Sequence, residues 1–174
     1  MNLKLKDSAI FVLCYFLMNS CVSPPSYDIV PEIAFLSLSR DLIDQRDSIR
    51  IEFTFTDGDG DLGFENPDSI TCTGCDSSCY EDSKYNFYVA DSRTGCLYQF
   101  RGIPYIPTKG SSDDISGKVD FLIVNIICIP PDGRVCSPCP EYPYDTVIYT
   151  IQIKDVAGHF SNKIELPPVV IRCN

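Results

Sequence analysis

Several kinds of residue are scarce in this chain of 174 residues, and these shortages limit the classes of partner and chemistry that the protein can have. Tryptophan is absent and histidine occurs once, as His159. Lys and Arg number 14 against 24 Asp and Glu, which gives a net charge of −10, and the basic residues form no run. This acidic balance argues against nucleic acid and anionic lipid as partners, and it is compatible with divalent cations.

Sequence motifs of catalysis are lacking as well. No Ser or Cys lies in a nucleophile motif, so a pairing of His159 with Asp155 would have no group to activate. We expect His159 to be a turn residue or an outer hydrogen-bond donor. The sequence therefore predicts that the chain is not an enzyme.

The one long apolar run lies near the N-terminus. Lys4 and Lys6 precede an apolar stretch at 9–18, and Asn19-Ser20-Cys21 follows. This is the pattern of a secretory signal with a small residue before a Cys, and the run is too short to span a bilayer. We expect residues 1–20 to be a cleaved lipoprotein signal peptide and Cys21 to carry the lipid. An ordinary secretory signal or a short anchor helix is the alternative.

The expected domain organisation follows from that cleavage. Residues 21–30, with two prolines, form a lipidated tether, and residues 31–174 form one domain. The lipid would hold the protein in the cell envelope, at the outer membrane. The tether has no acidic run after Cys21, which favours the periplasmic face over the cell surface.

Cysteine usage fits an exported domain. Eight cysteines remain besides Cys14 in the signal and Cys21: Cys72, Cys75, Cys79, Cys96, Cys128, Cys136, Cys139 and Cys173. An even number in an oxidising compartment predicts four disulfides of undetermined connectivity. A four-thiolate zinc site is less favoured, because an oxidising compartment converts spare thiols to disulfides and strand counting places the two C-x-x-C pairs at opposite ends. A redox-active C-x-x-C pair is also less favoured, since prolines around the second C-x-x-C oppose the helix that such chemistry uses.

Periodicity of two residues predicts the fold class. Residues 49–56 alternate apolar and polar side chains, and no stretch has helical periodicity. Predicted strands cover 31–40, 49–56, 85–90, 97–101, 118–129, 146–153 and 163–172, the last interrupted at Pro167-Pro168, while 41–47 is expected to be a turn. About seven strands favour an all-β, antiparallel immunoglobulin-like sandwich stapled by disulfides, with a small barrel as the alternative.

An acidic, glycine-rich segment follows the clearest strand. Asp57, Asp59 and Asp61 alternate with glycines, and Asp68 would take position twelve of an EF-hand-like numbering. Carboxylates at this spacing favour calcium, although Leu62 stands where an EF-hand requires glycine. The alternative is a solvated acidic turn. We expect a structural calcium site with a dissociation constant of roughly 10⁻⁴–10⁻³ M.

Strand counting adds a fifth candidate ligand and a constraint on the disulfides. The strands ending at Thr56 and Lys154 should run toward the same end, which brings Asp155 near the acidic segment. The same count places Cys72, Cys75 and Cys79 at one end and the other five cysteines at the opposite end. Three is odd, so full oxidation requires at least one bridge between the groups.

Three short motifs resemble small Bacteroidetes-type lipoproteins, a family of undefined function. They are Pro31-Glu-Ile-Ala-Phe-Leu-Ser37, the acidic segment at 57–63 and Asp155-Val-Ala-Gly-His-Phe-Ser-Asn162. The resemblance implies an envelope lipoprotein with an immunoglobulin-like domain, and it assigns no catalytic residue. The cysteine-rich stretches 72–79 and 128–139 are additional to that pattern.

The leading expectation is a lipid-anchored, calcium-stabilised module that binds an envelope protein or serves an envelope assembly. The membrane is a partner through the N-terminal lipid. The alternative is a glycan- or peptide-binding module that uses tyrosine-rich loops, with Tyr98, Tyr105, Tyr142 and Tyr144 as the candidate contacts.

Overall fold

The computed structural model describes residues 26–64, 86–95, 102–107, 113–133, 136 and 138–174. Within these ranges the chain forms nine strands and no helix, which confirms the predicted all-β class for this part. In chain order the strands are β1 (Glu32–Leu38), β2 (Leu42–Asp44), β3 (Ile49–Asp57), β4 (Phe87–Asp91), β5 (Ile115–Ile123), β6 (Tyr144–Val147), β7 (Tyr149–Ile153), β8 (Ile164–Glu165) and β9 (Val169–Arg172). No helix in the described ranges is long and apolar enough to cross a membrane. The predicted signal peptide, Cys21 and the strand predicted at 97–101 lie outside them.

β3 is the central strand of a three-stranded antiparallel sheet with the order β1-β3-β5. Its alternation has the structural consequence that the sequence predicts, because Ile49, Ile51, Phe53 and Phe55 are all buried. The side chains between them point to the partly exposed face. All nine residues of β3 pair with β5, so this strand fixes the register of the sheet.

The strand predicted at 146–153 is divided in two by Ile148. The backbone of Ile148 bonds to Ser92 instead of a neighbouring strand: its N–H donates to Ser92 Oγ at 2.9 Å and its carbonyl accepts from the Ser92 N–H at 3.0 Å. β6 and β7 therefore belong to different small sheets, with the orders β2-β9-β6 and β4-β7-β8. The interruption predicted at Pro167-Pro168 is present between β8 and β9, since proline has no N–H to donate to a ladder.

The turn predicted at 41–47 is partly wrong, because it contains β2. This three-residue strand pairs in parallel with β9, so the expectation of a wholly antiparallel fold is also wrong at this edge. Ile43 is buried between exposed neighbours and holds β2 against the core. A three-residue strand with one buried side chain is too short a signal for periodicity to detect.

Residues from all three sheets meet in one hydrophobic core. The Phe53 ring of β3 stacks on Phe87 of β4 at 5.8 Å, and Phe121 of β5 meets Phe87 edge-on at 4.9 Å. Such contacts stabilise beyond the burial of their area. The core thus fixes the relative positions of the strand ends on which the loops depend.

Two disulfides lie at the end of the fold where β9 finishes. Cys128 pairs with Cys173, with Cα atoms 5.9 Å apart, and Cys136 pairs with Cys139 at 5.3 Å. The N–H of Cys139 also donates to the Cys173 carbonyl at 2.8 Å, so the two bridges are adjacent. Four of the five cysteines expected at this end are therefore found together, and Cys72, Cys75, Cys79 and Cys96 lie outside the described residues.

Candidate metal centre

The acidic loop, residues 57–61, leaves the end of β3 and curves back to the core. Gly60 adopts φ of 69°, a left-handed conformation that glycine accepts without strain. Leu62 then returns to the core and is fully buried. The residue that breaks the EF-hand pattern is therefore the apolar anchor of the loop.

Three carboxylates converge inside this curve. Asp57, Asp59 and Asp61 each place an oxygen within 4.8 Å of the others. Asp57 is fully buried, Asp61 is half-buried and Asp59 is exposed, so the group extends from the protein interior to the surface. The alternating spacing in the sequence thus brings three of the predicted ligands together.

Three carboxylate oxygens of Asp57 and Asp61 lack hydrogen-bond partners. Neither carboxylate oxygen of Asp57 has one, and Oδ1 of Asp61 has none, although all three atoms are shielded from solvent. Oδ2 of Asp61 accepts the Ala157 N–H at 2.9 Å. A buried carboxylate without a partner costs several kcal/mol in general, so these atoms favour binding of a cation or a proton.

The pKa values of the group agree with that interpretation. Burial, together with the charges of Asp59, Asp61 and Asp155, raises the pKa of Asp57 to about 6. The Leu62 backbone N–H lowers this pKa by less, because it lies near the carboxylate without forming a hydrogen bond of normal geometry. Burial and the Asp155 charge also raise the pKa of Asp61. A bound divalent cation would counteract both causes, since it offsets the negative charge and coordinates the oxygens that have no hydrogen bond.

Comparison of the chain with protein-family models, curated proteins and solved structures finds no match. The site is therefore interpreted from its own geometry.

Asp155 lies beside the acidic loop, as strand counting predicts. The N–H of Val156 donates to the Asp61 carbonyl at 3.3 Å, which joins the two segments. The oxygens of Asp155 are engaged elsewhere: Oδ1 accepts the N–H groups of Gly158 and His159 at 2.6 and 2.7 Å, and Oδ2 lies 2.8 Å from Nδ1 of His159. Asp155 thus closes the 155–159 turn and adds negative charge behind the three converging carboxylates.

His159 has the accessory position that the sequence predicts. Its hydrogen bond with Asp155 raises the pKa of the imidazole, and the Asp155 charge adds to this. The ring is 40% exposed. The fifth predicted ligand, Asp68, lies outside the described residues.

The predicted tyrosine contacts lie on separate elements. Tyr105 is exposed on the segment 102–107, where its N–H donates to the Phe64 carbonyl at 2.9 Å, shortly after the acidic loop. Tyr142 and Tyr144 are exposed near the two disulfides, at the other end of the strands. Tyr98 lies outside the described residues.

Two asparagine side chains near the site were not predicted from the sequence. Each forms hydrogen bonds with the backbone N–H and carbonyl of a distant residue, as a neighbouring strand would. The amide of Asn162 accepts the Ile33 N–H and donates to the Ile33 carbonyl, both at 2.8 Å. Asn86 forms the same two bonds with Ile103, at 2.6 and 3.0 Å. Asn162 lies in the 155–162 motif that the sequence analysis singled out, whereas no sequence motif marks Asn86.

Proposed function

We propose that this protein is a non-catalytic, calcium-stabilised module of the cell envelope that binds a partner protein or serves an envelope assembly. The observation that best supports the calcium site is the carboxylate of Asp57, which is buried without a hydrogen-bond partner and lies beside Asp59 and Asp61. An exported domain meets calcium at concentrations that fill even weak sites.

The donor chemistry supports calcium over other cations. All three converging groups are carboxylates, and calcium takes oxygen ligands in flexible geometry. Zinc prefers nitrogen and sulfur ligands, and neither His nor Cys belongs to this group. Magnesium requires near-ideal octahedral geometry and keeps several waters, which a loop of three carboxylates does not enforce.

The strand order supports the immunoglobulin-like sandwich. β6 and β7 are separated by one residue and β8 and β9 by three, so we infer that the sheets β2-β9-β6 and β4-β7-β8 are successive parts of one layer. The other layer is β1-β3-β5. In that fold strands A, B, D and E form one layer and strands C, F and G form the other. The order agrees with this division if β1, β3 and β5 correspond to A, B and E, if β4, β6–β7 and β8–β9 correspond to C, F and G, and if β2 is an additional edge strand.

The disulfides support export. Bridges such as Cys128–Cys173 persist in oxidising compartments and are rare in reducing ones. Export agrees with the signal-like N-terminus and with lipid attachment at Cys21, which would hold the module at the outer membrane, on the periplasmic face. Mass spectrometry of the membrane-extracted protein tests this, because a diacylglyceryl group on residue 21 must appear.

Calcium titration of the full chain by calorimetry tests the central proposal. We expect one site with a dissociation constant of roughly 10⁻⁴–10⁻³ M. Asp57→Asn should abolish binding, whereas Asp41→Asn, which changes an exposed aspartate at the opposite end, should leave it unchanged. Absence of binding to the wild-type protein would overturn the calcium proposal.

A second candidate function is binding of a glycan or peptide through the tyrosine loops. A cavity of about 550 Å³ favours it, lined by prolines of the 130–140 region and by the 39% exposed Tyr142. Tyr142→Ala should then abolish retention on a glycan or peptide array while Tyr105→Ala does not, because Tyr105 lies at the other end.

A further inference from the structure

The segment through which the chain enters the domain lies directly on the acidic loop. We name residues 26–31 the N-terminal strap. The Gly58 N–H donates to the Asp28 carbonyl at 2.8 Å. A Cβ at residue 58 would overlap the Tyr27 carbonyl oxygen and lie 2.8 Å from that of Asp28. Gly58, placed between two of the converging carboxylates, is therefore the seat of the strap.

The strap is also held by Pro31, which is buried, and by Tyr27, which is half-buried. The Tyr27 N–H donates to Asp114 Oδ1 at 2.7 Å, just before β5. The side chains of Ile29 and Val30 are 53% and 41% exposed, so they add little apolar burial. A hydrogen bond contributes only about 1 kcal/mol net. Docking of the exposed part of the strap, residues 26–30, therefore depends on these two hydrogen bonds and on the conformation of the loop beneath it.

We infer that calcium binding at the acidic loop fixes the N-terminal strap, so that the cation controls how the domain is held relative to the chain that precedes it. This inference rests on the proposed function, since it assigns a consequence to the same site. In the absence of a cation, repulsion among the carboxylates of Asp57, Asp59 and Asp61 favours opening of the loop. Opening turns the Gly58 N–H away from Asp28, and the strap loses its seat.

The same coupling must act in both directions. If calcium strengthens docking of the strap by some factor, a docked strap strengthens calcium binding by that factor. Residues 1–25 precede the strap, and they include the predicted lipid site at Cys21. Under this coupling, calcium sets how firmly the strap, which follows that site in the chain, is docked on the domain.

Amide hydrogen exchange of the full chain in detergent, followed by NMR, tests the first direction. We expect exchange of the Tyr27 N–H to slow at least tenfold with saturating calcium relative to EGTA. The Cys139 N–H, bonded to Cys173 at the opposite end, should not change and serves as the reference. Asp57→Asn should abolish the response of Tyr27.

Calcium affinity of a strap variant tests the reverse direction. Asp114→Ala removes the acceptor of the Tyr27 N–H without touching the three converging carboxylates, and it should weaken calcium binding about three- to tenfold. Asp113→Ala removes the same charge one residue earlier and should not. Gly58→Ala, which displaces the strap sterically, should weaken calcium binding like Asp114→Ala.

The outcomes separate the two proposals. A wild-type protein that binds no calcium overturns both. Calcium binding with unchanged Tyr27 exchange, or equal affinities for the Asp113 and Asp114 variants, overturns the strap inference and leaves the calcium site in place.

Discussion

The carboxylate of Asp57 has a stabilising role only when something neutralises it. Without a cation it is buried, unpartnered and surrounded by negative charge. We predict that Asp57→Asn raises the free energy of unfolding by about 1–2 kcal/mol in EGTA at pH 7, since a neutral amide removes the repulsion. Urea denaturation measures this.

Calcium should make the wild-type protein more stable than Asp57→Asn, which is the reverse of the order expected in EGTA. At one hundred times the dissociation constant, calcium stabilises the wild-type protein by about 2.7 kcal/mol, or roughly 5–10 °C in melting temperature, and Asp57→Asn gains nothing. Asp59→Asn is the matched control on the same loop: its side chain is exposed, so its stability in EGTA should change little although its calcium response is lost. A variant of Asp57 that is less stable than wild type in EGTA would contradict the interpretation of this residue.

The raised pKa of Asp57 predicts how stability depends on pH. Its folded value of about 6 lies above the ordinary 3.8, so the folded state binds the proton more tightly than the unfolded state. In EGTA the protein should therefore lose stability as pH rises from about 4 to about 7, by on the order of 2 kcal/mol from this group. His159, whose pKa is also raised, acts in the same direction.

Denaturation curves in EGTA between pH 4 and pH 8 measure this slope, and Asp57→Asn should flatten it. With saturating calcium the slope should change sign below about pH 6, because protons then compete with the ion for the carboxylates. An EGTA profile identical for wild type and variant would show that Asp57 titrates normally.

At the scale of elements, a buried arginine joins two strands and the chain between them. Arg93 pairs with Asp91 of β4 and Asp145 of β6, both at 2.7 Å, and also donates to the Ile127 carbonyl. All three charged side chains are at most 10% exposed. We predict that Arg93→Met costs about 3–5 kcal/mol in the free energy of unfolding, since it leaves two carboxylates buried and unpaired.

Arg40→Met is the matched control for that variant. Arg40 pairs with Asp47 at 3.4 Å, and the two side chains are 61% and 41% exposed. Loss of an exposed pair should cost under about 1 kcal/mol. Equal losses from the two variants in urea denaturation would argue against the buried network as a structural tie.

Local periodicity predicts some of these elements and misses others for a physical reason. β3 can be predicted from the sequence because every second residue of this nine-residue strand is buried, which gives a clear alternation of apolar and polar side chains. β2 depends on a single buried Ile43, and the division at Ile148 depends on a bond to Ser92 that lies 56 residues away. Contacts formed across the fold leave no pattern in the segment itself.

At the scale of the whole molecule, the candidate site also combines features that the sequence predicts with contacts that it does not. Asp57, Asp59 and Asp61 are neighbours in sequence, so their spacing alone predicts that they converge. The proximity of Asp155 follows from counting strand directions. The hydrogen bond between the strap and Gly58 joins residues that are 30 positions apart in the sequence. No sequence motif marks this contact, so it can be seen only in the folded structure.

The two ends of the molecule should respond independently to change. The Cys128–Cys173 bridge spans 45 residues, and chain entropy alone gives it about 4 kcal/mol, whereas the Cys136–Cys139 bridge spans three and is worth less than about 2 kcal/mol. We predict that C128A/C173A lowers the free energy of unfolding more than C136A/C139A does. Urea denaturation of both double variants measures the difference.

Calcium affinity of the same two variants tests the independence directly. Both bridges lie beyond the end of β9, away from the acidic loop at the end of β3, so neither double variant should change calcium binding at temperatures where it remains folded. A weaker affinity in C128A/C173A alone would mean that the shared core transmits strain between the ends. In that case the disulfide would be part of the support of the calcium loop, and the stability and the metal site of this protein could not be altered separately.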